Sequence, residues 1–270
     1  SAEWYKIVVP YLKRIDPYDR PVATSWQRPE LKEIDINAPH WYGREAELTS
    51  DRVTAGRAAR DKRHPKPVIY GEQGNGGGKT EELTPKGIGG VWDAGSARRM
   101  RVRTWTAFFN EIALVFWETS YARDGHSMNF WIGPEERQYV RALQDFAGRL
   151  DAGIGMVKVP LGGAGAKDVR AYGLRSGKRA AVYLHHAACA QCDLLRATGK
   201  PAQHRWDHDR GELRGLKVTV DSPQAAKGYW YDPRNARILK RFDAPKGPLT
   251  LAVPPFGIDL ALLITEAGPP

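Results

Sequence analysis

Glu72 closes an apolar run, Pro67-Val68-Ile69-Tyr70-Gly71, and other chemistry-bearing side chains close similar runs elsewhere in the chain. His40 and Tyr42 lie in Pro39-His40-Trp41-Tyr42-Gly43, Trp117 follows Ile112-Ala113-Leu114-Val115-Phe116, and Trp26 follows Val22-Ala23-Thr24-Ser25. A carboxylate held at a strand end can attack an anomeric carbon and form a covalent glycosyl intermediate. A tryptophan face stacks on the apolar side of a pyranose ring, and a tyrosine hydroxyl can donate to the carboxylate and aim it. That combination implies a sugar-cleaving site, with Glu72 as nucleophile and His40, Tyr42, Trp117 and Trp26 around the substrate. Each residue also has a plainer reading. Glu72 would then be a solvated loop residue, His40 a donor to backbone, and the two tryptophans core side chains.

Three rival chemistries are weaker. Gly74 to Gly78 followed by Lys79-Thr80 suggests a phosphate cradle, but the Walker frame would need its first glycine where Gln73 stands. Cys189 and Cys192 follow His185 and His186 closely. Structural zinc draws its ligands from two separated pairs, so a disulfide or free thiols is the simpler reading beside a metal site. No metal and no organic cofactor is expected. The net charge of +10 raises nucleic acid as a partner. The basic residues are scattered, however, and the stretch from Arg98 to Arg103 reads as a solvated helix face, so solubility or an anionic substrate is the expected meaning. No apolar run approaches the roughly 20 residues that cross a bilayer, and no membrane contact is expected.

The elements that must position these side chains alternate. Residues 3–15 place Trp4, Val8, Tyr11, Leu12 and Ile15 on one helical stripe. Short strands are predicted over 22–26, 34–38, 67–72 and 112–117, with helices over the basic stretch before 67, over 98–109 and over 134–150. Alternating strand and helix implies parallel β/α units. Four are visible, whereas a closed barrel needs eight. From residue 151 the texture changes to seven short β runs between turn residues, the pattern of a β-sandwich. The expected architecture is α/β plus all-β: residues 1–150 form a partial (β/α)8 barrel, and residues 151–270 a β-sandwich. Half a barrel leaves two open edges, so an upstream segment, a second chain or self-association is expected to complete it.

The order of these motifs resembles strands five to eight of clan A retaining glycoside hydrolases. Asp16-Pro17 and Pro21-Val22-Ala23-Thr24-Ser25 match the first of them. His40-Trp41-Tyr42, Lys66 to Glu72 and Val115-Phe116-Trp117 match the other three. The resemblance implies that Glu72 is the nucleophile ending strand seven. It places His40 and Tyr42 on strand six and Trp117 on strand eight. Tyr229-Trp230-Tyr231-Asp232-Pro233 and Pro254-Pro255-Phe256-Gly257 are similar to the C-terminal sandwich of cellulase-like members.

The clan's acid/base, a glutamate in Asn-Glu ending strand four, would precede Ser1. Asn110-Glu111 comes before the fourth visible strand, at the opposite face. Glu118 would point away if Trp117 points into the site. The implied activity is retaining hydrolysis of a β-linked poly- or oligosaccharide, and the competing expectation is a non-catalytic carbohydrate-binding or architectural protein with a degenerate barrel. Polysaccharide degradation suggests a secreted or periplasmic location, although Ser1-Ala2-Glu3-Trp4 opens directly into an amphipathic pattern with no signal peptide.

Overall fold

A computed structural model describes residues 2–25, 27–43, 51–75, 96–116, 134–187, 191–195, 203–207 and 211–266. The fold is mixed α/β. In the first 150 residues the order is α1 (Ala2–Ile15), β1 (Ala23–Thr24), β2 (Ile36–Asn37), β3 (His40–Gly43), α2 (Asp51–Asp61), β4 (Ile69–Asn75), α3 (Ser96–Phe109), β5 (Ala113–Phe116) and α4 (Pro134–Ala147). β1 pairs parallel with β2, and β3, β4 and β5 pair parallel in that order. A parallel bridge from Asn37 to Val68 links the two groups. β2 and β3 form one run broken at Ala38-Pro39, because proline has no N–H to give the ladder. The second strand expected from sequence therefore continues through His40 to Gly43. Among the described residues this parallel sheet is open and closes into no barrel.

The helical stripe read from residues 3–15 faces the other way. Val9 is the buried residue of α1, packed with Ala2 and Tyr5 against Val22, Leu31 and Ile34. Trp4, Tyr11, Leu12 and Ile15 are exposed. Periodicity reveals an apolar face without saying what covers it.

The remaining strands are β6 (Gly155–Val157), β7 (Leu161–Gly163), β8 (Val169–Arg175), β9 (Ala180–His186), β10 (Gln191–Leu195), β11 (Gln203–Asp207), β12 (Leu216–Ser222), β13 (Ala226–Asp232), β14 (Arg237–Ala244), β15 (Gly247–Ala252) and β16 (Asp259–Thr265). They form an antiparallel six-stranded sheet, β14-β13-β16-β9-β8-β6, and a three-stranded sheet, β15-β12-β7. β10 and β11 make a separate antiparallel pair. All seven β runs expected after residue 151 are present, and β6, β7, β10 and β11 are additional. Each of these four is short, and none carries a long apolar run.

One core lies between the two sheets: Val182, Leu184, Trp230, Leu260, Leu262 and Ile264 face Leu216, Val218 and Val220. A second lies on the outer face of the six-stranded sheet, where Trp105, Phe109 and Phe146 from α3 and α4 meet Tyr183, Tyr229, Tyr231 and Leu263. β9 and β16 are thus buried on both faces, which explains why Ala180 to Leu184 and Leu260 to Ile264 show no polar alternation. Tyr229, Trp230 and Tyr231 all belong to these cores.

Two ionic clusters join the helices to this sheet. Arg101 on α3 donates to both carboxylate oxygens of Asp259 on β16, at 2.9 Å each, and Tyr183 donates to the same carboxylate at 3.1 Å. Arg101 and Arg103 are buried, so the stretch from Arg98 to Arg103 is not a solvated face. A guanidinium can enter a core where a carboxylate and an aromatic face receive it; Arg101 also lies 4.5 Å over the Tyr139 ring.

At the start of α2, buried Asp51 accepts from Arg170 and, at 2.6 Å, from the Tyr172 hydroxyl. His185 Nδ1 lies 3.1 Å away. Burial alone would raise the Asp51 carboxyl, but the hydrogen bonds and charges of His185 and Arg170 outweigh it and hold it well below the ordinary carboxylate range. A depressed carboxylate stabilises the fold fully above its unfolded pKa, about 3.9, and loses that contribution as pH falls toward the folded value. Asp51→Asn should therefore cost about 3 kcal/mol at pH 7, with the deficit shrinking below about pH 4. Urea unfolding of both proteins at pH 7 and pH 3.5 measures this; a deficit that grows in acid contradicts it.

Candidate active site

Parallel strands carry functional side chains at their C-terminal ends, where loops leave the sheet. His40 and Glu72 are paired in register on β3 and β4, and the ladder continues beyond them to Gly43 and Asn75 at the C-terminal ends. His40 Nδ1 lies 3.4 Å from Glu72 Oε2, with the side chains 31% and 29% exposed. The pair is open to solvent and to a ligand, yet held by two strands.

Strict alternation would not produce this arrangement. Val68 and Tyr70 pack toward α2 with Trp41, Ala58 and Ala107, and Glu72 would follow them to that side. The ladder instead shifts register between Tyr70 and Gln73. One added residue turns Glu72 to the His40 face and returns Gln73, fully buried, to the Trp41 side. Gly71 stands inside this bulge. A Cβ there would come 2.9 Å from His40 Nε2, so the glycine makes room for the imidazole.

Behind β3 and β4 a packed layer fixes their position. Trp41 meets the Tyr70 ring edge-on at 5.7 Å, and Arg57 lies 4.8 Å over Trp41. The Tyr70 hydroxyl donates to Asp61 at 3.3 Å, and burial pushes that phenol up sharply. Sequence reading passed over this layer. Its only trace was a helix with acidic residues at both ends, Asp51 and Asp61.

Of the five side chains expected in the site, the structure brings together His40 and Glu72. Tyr42 is on β3 two residues beyond His40, with its side chain outside the described part. Trp26 and Trp117 lie outside the described residues. Asn110-Glu111 sits in the turn before β5, at the other end of the sheet. There Glu111 pairs with Lys62 and accepts from the Met156 backbone N–H at 3.1 Å, and the Asn110 amide donates to Thr106. This pair is structural. His185 faces Asp51, and His186 Nδ1 lies 3.1 Å from the Gly257 carbonyl; Cys189 lies outside the described residues, as does the side chain of Cys192.

No protein-family model matches the sequence, and no curated protein is similar to it. Solved structures do match. A glycoside hydrolase aligns over 97% of this chain and 61% of its own, at 13% identity and a TM-score of 0.58. A glycoside hydrolase family 5 protein from Bacteroides vulgatus aligns over 96% and 58%, at 12% identity and a TM-score of 0.56. A family 30 subfamily 8 xylanase from Clostridium acetobutylicum aligns over 99% and 61%, at 8% identity and a TM-score of 0.50. The chain shares the fold of these glycoside hydrolases. It spans about 60% of the length of these structures.

Proposed function

We propose that this chain is the C-terminal part of a retaining glycoside hydrolase acting on a β-linked poly- or oligosaccharide. In this reading β1, β2 with β3, β4, and β5 are strands five to eight of a (β/α)8 barrel within residues 1–150. The two antiparallel sheets of residues 151–270 are its β-sandwich. Glu72 attacks the anomeric carbon and forms the glycosyl-enzyme bond as the leaving-group oxygen departs. His40 and Tyr42 order that carboxylate, and Trp26 and Trp117 floor the sugar site. The acid/base carboxyl, which protonates the leaving oxygen and later deprotonates water, belongs to strand four and lies outside these 270 residues. The observation that supports the reading is the pair His40–Glu72, set side by side and partly open to solvent on two neighbouring parallel strands of this fold.

The direct test is trapping. A 2-deoxy-2-fluoro aryl β-glycoside slows breakdown of the intermediate more than its formation, so the complete protein should gain one sugar on the peptide carrying Glu72. Label on another carboxylate, or none with any common β-sugar, would remove the assignment. The competing reading, a non-catalytic glycan-binding protein, draws on Glu72 being the one carboxylate among the described residues of β1 to β5. It predicts glycan binding without label.

Gly71→Ala tests the bulge within the same site. The added methyl must displace the His40 ring, so kcat/KM should fall roughly ten- to a hundredfold, with about 1–3 kcal/mol of overpacking strain. Kinetics and a thermal melt on one sample separate the two effects; unchanged kinetics would show that His40 does not position Glu72.

A further inference from the structure

Arg241 stands opposite Tyr229 in the β13–β14 ladder, and Tyr231 lies two residues along β13 on the same face, within diagonal reach of a long side chain. That is the face of the six-stranded sheet on which α3 and α4 pack. The Phe146 ring of α4 meets Tyr231 edge-on at 5.6 Å. Arg149 follows one turn later, its N–H donating to the Phe146 carbonyl at 3.1 Å. Arg179 donates to the Arg149 carbonyl and brings a third guanidinium to the same corner. Burial pushes the Tyr231 phenol up, and Arg149 and Arg241 both pull it back, whereas Asp145 acts on it less than either.

The donors at this corner are unspent. The Tyr231 hydroxyl and Arg149 Nε are buried without a hydrogen-bond partner. Neither the Arg149 nor the Arg241 guanidinium bonds a carboxylate among the described residues. The cations continue along the edge strand β14, where Arg237 and Lys240 are exposed beside Arg241. Charged edges keep other chains from pairing, which accounts for Lys240. It does not account for two arginines from separate elements converging on a buried phenol, since a buried donor is costly until something accepts from it.

We propose that the corner between α4 and β14 binds a carboxylate of an acidic polysaccharide, held by Arg149 and Arg241 above the Tyr231 hydroxyl, with the glycan running along β14. Guanidinium forks match a planar carboxylate, and the net charge of +10 draws a polyanion in. With no side-chain bond to hold it, Arg149 can turn outward and admit the anion to the phenol. That the polyanion is a glycan rests on the glycosidase reading above. The corner shares no residue with the His40–Glu72 pair, so it holds substrate and does not cut it.

Binding of polygalacturonate to the complete protein tests this, at physiological ionic strength, where fields beyond roughly 8 Å are screened. Arg149→Gln/Arg241→Gln should weaken binding at least about tenfold, and Arg241→Gln alone, at an exposed position, by roughly threefold. Tyr231→Phe should weaken it by about threefold without lowering the melting temperature, because the hydroxyl has no partner in the free protein. Lys158→Gln/Lys217→Gln removes the same charge from exposed positions elsewhere and should change binding less than about twofold. Equal losses in the two double variants assign binding to net charge and overturn the proposal. So does failure to bind polygalacturonate, or tighter binding of DNA or dextran sulfate, which assigns the corner to nucleic acid or sulfate. None of these readouts depends on catalysis, so trapping at Glu72 succeeds or fails independently.

Discussion

Replacing Glu72 by alanine in the complete protein should lower turnover of an aryl β-glycoside by at least about a thousandfold. In the proposed mechanism this carboxylate makes the covalent bond, and water cannot take over from the same face without a base. Added azide is small enough to enter the space the side chain leaves. It should restore product as a glycosyl azide of inverted anomeric configuration. A general acid would behave differently: its loss spares substrates with good leaving groups, and azide then gives the retained anomer. Glu72→Ala that keeps most of the wild-type rate would end the nucleophile assignment. The stability of this variant should differ little from wild type, because the side chain is 29% exposed and its neighbour His40 keeps access to solvent.

The largest expected effect on stability is at Asp259, a buried carboxylate on β16. Asp259→Ala should destabilise by about 3–5 kcal/mol, since it leaves the Arg101 guanidinium charged in a core without its hydrogen-bonded counter-charge. Arg101 and Asp259 are 1% and 2% exposed, so little solvent is available to compensate. The Tyr183 hydroxyl also loses its acceptor. Thermal unfolding should fall by roughly 10 °C on this scale. The double variant Arg101→Met/Asp259→Leu removes both charges and should recover most of the loss. Equal melting points for single and double variants would show that packing, not an orphaned charge, sets the cost.

The sequence announced elements better than their faces. The continuous apolar stretch Leu260 to Ile264 is a doubly covered strand, whereas the similar stretch from Ala113 misleads, since Ala113 and Val115 are exposed; Tyr139, Leu143 and Phe146 correctly marked the packed side of α4. Arg101 could not be read as buried, because its partner lies 158 positions away and nothing local distinguishes it from Arg98. Asp51 looked like an ordinary first-turn acid, and its bond to Tyr172 spans 121 positions. At the site, Glu72 and His40 were visible because they adjoin strand-like apolar runs. Their pairing was not, since alternation from Val68 and Tyr70 predicts the wrong face and only the register shift corrects it. Gly71 was the local sign of that shift, and its meaning depends on a histidine from another strand.

The aromatic layer between α3, α4 and the six-stranded sheet bears on how the molecule can be divided. Severing the backbone near residue 150 would strip Trp105, Phe109 and Phe146 of Tyr183, Tyr229 and Tyr231, and leave each fragment a raw greasy wound in place of a finished exterior. Neither piece should stay soluble when expressed by itself. Mixed together during refolding, the two should rejoin without a covalent tether.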